Sequence, residues 1–218
     1  MFKRVLYRKG ISFVRAGELL NSALLFFLIG MMASCAIVNE NQGIQDPSLK
    51  EQWLLHIAEI QKLKQWQFSS RISVQHLTKR WSAALFWQQN ETNFEIKIIG
   101  PLGQGALLLK GDENNLSVND GKNIKYFKNY TSSDIESLYG INIPIKQLRH
   151  WVIGNPMADF NLITLNDDDL LKKVEKDRWQ LDITKYRDIN GLSLPKKMKI
   201  THPDWFIKLA ILNWKISE

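Results

Sequence analysis

Apolar side chains recur at helical intervals through Leu49, Trp53, Ile57 and Ile60, behind Pro47 and a Ser48/Glu51 pair with capping-box spacing. This predicts an amphipathic helix at the start of the folded region. The period then falls to two, with Phe68, Ser70, Ile72 and Val74 on one side and Ser69, Arg71, Ser73 and Gln75 on the other. Trp81 to Trp87 is apolar at both parities, the pattern of a strand covered on both faces. Phe94, Ile96 and Ile98 alternate with Glu95 and Lys97, and after the turn Gly100 to Gly105 comes a strand from Ala106 to Leu109. Asp120-Gly121, between Leu116–Val118 and Ile124–Phe127, is a hairpin signal.

The period lengthens again in the middle of the chain. Ser133 with Glu136 forms a second capping-box spacing ahead of Ile135, Leu138 and Tyr139, and Gly140 ends that short helix. Pro144 opens another, whose Ile145, Leu148, Trp151 and Val152 share a face before Gly154 and Pro156 stop it. Alternation returns through Leu162–Leu165, Leu170–Val174, Trp179–Ile183, Met198–Ile200 and Ile207–Trp214. The sum is a mainly β, α+β chain of about ten or eleven antiparallel strands. A sheet of that size curls toward a barrel or an open half-barrel, and the apolar helices bury most surface over its mouth or concave side.

The leader changes where this fold must work. Lys3, Arg4, Arg8, Lys9 and Arg15 precede an apolar run, Ala23 to Met32, that is short for a bilayer span and reads as an export signal. It ends in Met32-Ala33-Ser34-Cys35, which resembles a bacterial lipobox, with Met32 where leucine is commonest. Cys35 is the chain's only cysteine and has no disulfide partner, so thioether lipidation is its expected role. Ala36 stands where an aspartate would retain a lipoprotein at the inner membrane, which favours the outer one, periplasmic face. The expected divisions are a signal over 1–34, a lipidated polar tether over 35–46 and one domain over 47–218.

The leader carries five basic residues and one acid, Glu18, of the chain's 29 and 22, which leaves a formal charge of +3 on the remainder. That is too mild to point to nucleic acid. Chemistry is sparse as well. His56, His76, His150 and His202 lack metal-ligand spacing, and no nucleophile elbow or phosphate-binding loop is present. Asp167 to Asp169 has the composition of a solvated turn. Neither an enzyme activity nor a cofactor or metal is expected. Eight tryptophans, all after the leader, suggest instead a cavity walled by large apolar side chains.

Trp53 with His56, Trp66, Arg71, Phe86-Trp87 and Gly100-Pro101-Leu102-Gly103 resemble, in order and spacing, the family of the outer-membrane lipoprotein LolB. So do Gly140 with Ile143-Pro144, Leu148, Trp151, Gly154, Pro156, Trp179, Tyr186, Leu194-Pro195 and Trp214. Two positions depart: Ile72 replaces a glycine usual in the family, and Gly100 an asparagine of some members. The resemblance implies an unclosed antiparallel half-barrel with a helical lid around a hydrophobic cavity for the acyl chains of other lipoproteins. It implies a monomer that takes its cargo from the soluble periplasmic carrier LolA and releases it into the inner leaflet of the outer membrane. Leu102 is the residue at the family's protruding, membrane-inserting leucine. Trp53, Trp87, Trp151, Trp179 and Trp214 are the expected cavity residues. A soluble carrier of the same fold, or an assembly factor binding a partner polypeptide, are the competing readings.

Overall fold

The computed structural model describes residues 51–103, 105–139, 144–157 and 160–217. Cys35, the leader, the tether, the Ser48 cap, Leu49 and Gly140 lie outside the described residues. The described part forms one antiparallel eleven-strand sheet. In chain order the strands are β1 (Gln65–His76), β2 (Lys79–Asn90), β3 (Asn93–Ile99), β4 (Ala106–Gly111), β5 (Asn115–Asn119) and β6 (Ile124–Lys128). They continue with β7 (Leu162–Leu165), β8 (Leu171–Lys176), β9 (Trp179–Ile189), β10 (Leu192–His202) and β11 (Trp205–Ser217). Among the described residues the α-helices are α1 (Glu51–Lys62), α2 (Ser132–Tyr139) and α3 (Ile145–Trp151).

Two meanders meet where β1 pairs with β11, giving the order β6-β5-β4-β3-β2-β1-β11-β10-β9-β8-β7. The end strands β6 and β7 do not pair with each other, so the barrel is not closed. The β1–β11 seam closes the longest loop in sequence, and all twelve β1 residues pair across it, with one register shift between Ser69 and Ser70 where Leu212 is bulged out. Apolar parity sets the pairing on both sides: Phe68, Ile72 and Val74 face Trp214, Leu209 and Ile207 of β11 and Trp87, Ala83 and Trp81 of β2, and a one-residue slip would turn them to water.

Burial follows the period-two pattern on one face. Trp66, Phe68, Ser70, Ile72 and Val74 are buried along β1, and Ala83, Leu85, Trp87 and Gln89 along β2. The expectation that Trp81–Trp87 is covered on both faces fails: Phe86 is 45% exposed on the outer face. The outward side of β2 meets water, as antiparallel sheets allow. Ile72 pairs regularly with Ala83 and Leu209, so the strand geometry at this position is undisturbed.

The helices end as their chemistry dictates. The α2 cap is not the expected Ser133/Glu136 pair: the Thr131 backbone N–H and hydroxyl both donate to the Asp134 carboxylate, at 2.7 and 2.9 Å, one box earlier. At the end of α3 the Asn155 and Gly154 N–H groups donate to the His150 and Trp151 carbonyls. This is a Schellman closure with Gly154 at φ +86°. Buried Ile135, Ile145 and Leu148 turn α2 and α3 onto the sheet's concave face, while α1 packs through Trp53 and Ile60 and neighbours β10.

Candidate functional site

Strand parity and helix faces together enclose an apolar cavity of about 600 Å³. Its sheet wall is built from cross-strand neighbours: Phe68 and Trp87, Leu85 and Ile98, Ile96 and Leu109, Val118, and Ile200 beside Ile207. Ile135 of α2, Ile145 and Leu148 of α3, and Val152 form the opposite wall. Ser82 and Asp120 are the polar side chains in the lining, and both are exposed. Such a wall holds a ligand by area removed from water and fixes no orientation by hydrogen bonding.

One end of the cavity opens to water. Trp81, Ser82, Pro101, Gly105, Ala106 and Asp120 are the exposed lining residues, and each sits where β1, β3 or β5 hands over to the next strand. At the other end an aromatic cluster forms the floor. Phe68 and Trp87 line the cavity, Trp66 lies 5.9 and 5.7 Å from them, and the Trp214 ring meets Phe68 edge-on at 4.8 Å. The Trp214 indole N–H donates to the Pro195 carbonyl at 2.9 Å, and that of Trp87 to Gln89 at 3.4 Å.

Of the five expected tryptophans, the structure brings only Trp87 into the cavity wall. Trp53 is buried on α1, and Trp151 is sealed under the end of α3. Trp179 is covered by His202, ring to ring at 4.7 Å. Trp214 backs the floor from behind Phe68, because β11 carries a bulge at Leu212 that shifts its parity relative to Leu209 and Ile211. Trp81 and Trp205 stand in the wall instead, and period two counted back from Trp87 and Leu209 reaches both.

Leu102 sits on the lip of this opening. The Gly100 N–H closes the turn on the Gly105 carbonyl at 3.1 Å, and Gly103 and Gly105 take the left-handed φ of +75° that reverses the chain. Leu102 itself has φ +56° and is 98% exposed, with no packing partner to account for a leucine there.

At the floor end the helical wall is tied down. Arg149 on α3 reaches the Glu113 carboxylate at 2.7 Å and the Thr92 carbonyl at 3.3 Å, between the turns that follow β2 and β4. Its Nε donates to His150 Nε2 at 3.1 Å. Burial, with the Arg149 charge adding to it, pulls the His150 pKa down to about 4, so the imidazole is neutral and accepts. Among the described residues no group of His, Cys, Asp and Glu could hold a metal, and no helix is long and apolar enough to cross a membrane.

The sequence profile of the family described as outer membrane lipoprotein LolB matches residues 64–214, most of the chain. The chain belongs to the LolB family of outer-membrane lipoproteins. It is 30% identical over 192 residues to the outer-membrane lipoprotein LolB of Pseudomonas fluorescens, covering 88% of this chain and 94% of that one. Its identity to LolB of Ectopseudomonas mendocina is 28% over 198 residues, or 90% and 97% of the two chains. A solved LolA superfamily protein from Nitrosomonas europaea superposes with a TM-score of 0.51 at 9% identity, covering 76% of this chain and 93% of that one. At that identity the likeness concerns the fold alone. LolB membership and the cavity agree on a lipoprotein that works in lipoprotein localisation.

Proposed function

We propose that this protein accepts acylated lipoproteins from a LolA-type periplasmic carrier, holds their acyl chains in the cavity, and releases them into the inner leaflet of the outer membrane. Cys35 would be the acylated anchor and Leu102 the inserting tip. The observation that carries the reading is the 600 Å³ apolar cavity whose open end lies against an exposed leucine. Each methylene removed from water contributes about 0.8 kcal/mol, so acyl chains need a sheltered route across the periplasm. A cavity without polar anchors grips them through area alone. Transfer then runs toward the larger apolar contact, ending in the bilayer, and the acyl anchor raises the local concentration at the acceptor surface.

Leu102 contributes about 1.5–3 kcal/mol on entering lipid, enough to dip into a bilayer and too little to anchor there. The test is to mix the protein with a carrier loaded with a triacylated lipoprotein, and then with outer-membrane vesicles. Cargo should move to the protein and then to the vesicles. Leu102→Glu should leave the first step unchanged and cut delivery at least tenfold. Absence of the first step would send the reading to a partner-binding scaffold.

A further inference from the structure

The hairpin between β1 and β2 ends in Leu77, 65% exposed and held at φ +51°. Leu102, at the tip of the β3–β4 turn, shares both properties. β1 and β3 run in the same direction, so both tips stand at the open end of the cavity. L-residues with a Cγ enter the left-handed region at a cost, and tips of this kind normally carry glycine, asparagine or aspartate. The molecule supplies its own control. At the floor end the corresponding positive-φ tips are Glu91, Asp169 and Asn190-Gly191, all polar or glycine, and at the mouth end the β5–β6 and β8–β9 turns likewise use Gly121 and Asp177-Arg178. Among the described strand-to-strand turns, leucine takes this conformation at Leu77 and Leu102, both beside the cavity mouth.

The residues behind Leu77 complete the surface. Lys79 and Arg80 are exposed, and Lys122 and Lys125 are exposed in and beside the β5–β6 turn of the same rim. Trp81, 42% exposed, presents a ring with an apolar body and a polar edge between Leu77 and the cavity. The acids at this end of the sheet are Asp120, Asp204 and, beside Arg178 in the β8–β9 turn, Asp177; the Leu77 N–H donates to the Asp204 carbonyl at 3.3 Å, fixing the hairpin beside the β10–β11 turn. Apolar tips with a basic collar and an interfacial tryptophan fit one occupant, the surface of an anionic bilayer, where leucines enter the acyl boundary and cations meet phosphates. We infer that Leu77 is a second lipid-contacting tip, which with Leu102 seats the mouth flat on an anionic membrane. This rests on the insertion reading of Leu102.

The test uses the acylated full-length protein in phosphatidylethanolamine–phosphatidylglycerol vesicles. Nitroxide labels are placed at Thr78→Cys, at Pro101→Cys beside Leu102, and at Asn190→Cys at the floor end. Thr78 and Pro101 labels should gain oxygen collisions and lose those of a water-soluble nickel chelate, while Asn190 stays aqueous. Adding Leu77→Glu should return the Thr78 label to water. Lys79→Gln with Arg80→Gln should reduce its seated-to-free ratio about fivefold per charge removed, as should phosphatidylcholine in place of the anionic lipid. A Thr78 label in water while Pro101 is in lipid overturns this inference and spares the reading of Leu102. Both labels in water overturn the two together. Immobilisation of the Thr78 label by added carrier protein, with no change on vesicles, would make the tip a protein contact and likewise overturn it.

Discussion

Gly154 shows how a single residue holds the helical wall in place. Its φ of +86° closes α3, and a Cβ there would meet the Tyr186 hydroxyl at 3.3 Å, which itself donates to the Leu171 carbonyl at 2.7 Å. Gly154→Ala therefore combines left-handed strain with displacement of a buried hydrogen bond. It should cost about 1–3 kcal/mol in denaturant unfolding, with the midpoint moving and the slope unchanged. A midpoint within error of the parent would mean that Tyr186 yields freely. Glycine and proline punctuation made this helix end legible in the sequence, as it did the Leu102 turn. The cavity tryptophans were less so. Size alone does not tell a wall from a floor, and Trp214 is placed by a bulge at Leu212 that no local pattern announces. Leu77 is at the limit of what a sequence offers, because a lone leucine between two strands carries no sign of its backbone angle.

At the scale of elements, α3 couples pH to stability. His150 is held neutral down to about pH 4 by burial and Arg149, and burial also lowers the pKa of His56, whose Nε2 has no hydrogen-bond partner among the described residues. Above the ordinary histidine value near 6.5 neither residue is protonated in the folded or the unfolded chain, so stability there does not depend on them. As pH falls below it the unfolded chain takes up protons that the folded one refuses, and stability is lost until about pH 4, where folded His150 titrates too. The ordered carboxylates Asp112, Asp120 and Asp134 have lowered pKa values, so their own losses come at more acid pH. Between pH 7 and 5 the melting temperature should therefore drop, with His150 contributing about 1–2 kcal/mol after allowance for its solvent contact. His150→Gln, which can still accept from Arg149, should flatten that part of the profile; an unchanged slope would exclude the coupling. The helices and strands were mostly legible because parity and caps are local. The cap of α2 moved two residues because Thr131/Asp134 and Ser133/Glu136 offer the same spacing, and only the packed chain chooses between them. The coverage of β2 is not legible for a related reason: apolar residues at both parities do not reveal that Phe86 meets water.

The whole molecule is asymmetric along the cavity axis: Arg149 ties α3 to the floor-end turns, and the opposite end is rimmed by exposed tips. A cavity of about 600 Å³ is of the size that encloses a single drug-sized ligand. Several acyl chains on one lipoprotein need more, so loading must enlarge it, and the two walls differ in what they can give. The sheet wall is held by paired backbone over the full length of β1 with both neighbours. The helical wall touches the cavity through Ile135, Ile145, Leu148 and Val152, side-chain contacts that acyl chains can replace at little loss of apolar area. Opening should thus hinge at Arg149 and spread α2 and the first turn of α3 away from the sheet. Hydrogen exchange with and without a bound long-chain acyl ligand tests this. Amides of α2 and of the start of α3 should exchange several-fold faster in the loaded protein, while β1 and β11 hold their protection. Arg149→Ala should extend the faster exchange to the end of α3 and speed release of the ligand. If loading slows exchange everywhere, the ligand fits the closed cavity, and the helical wall is not the part that moves.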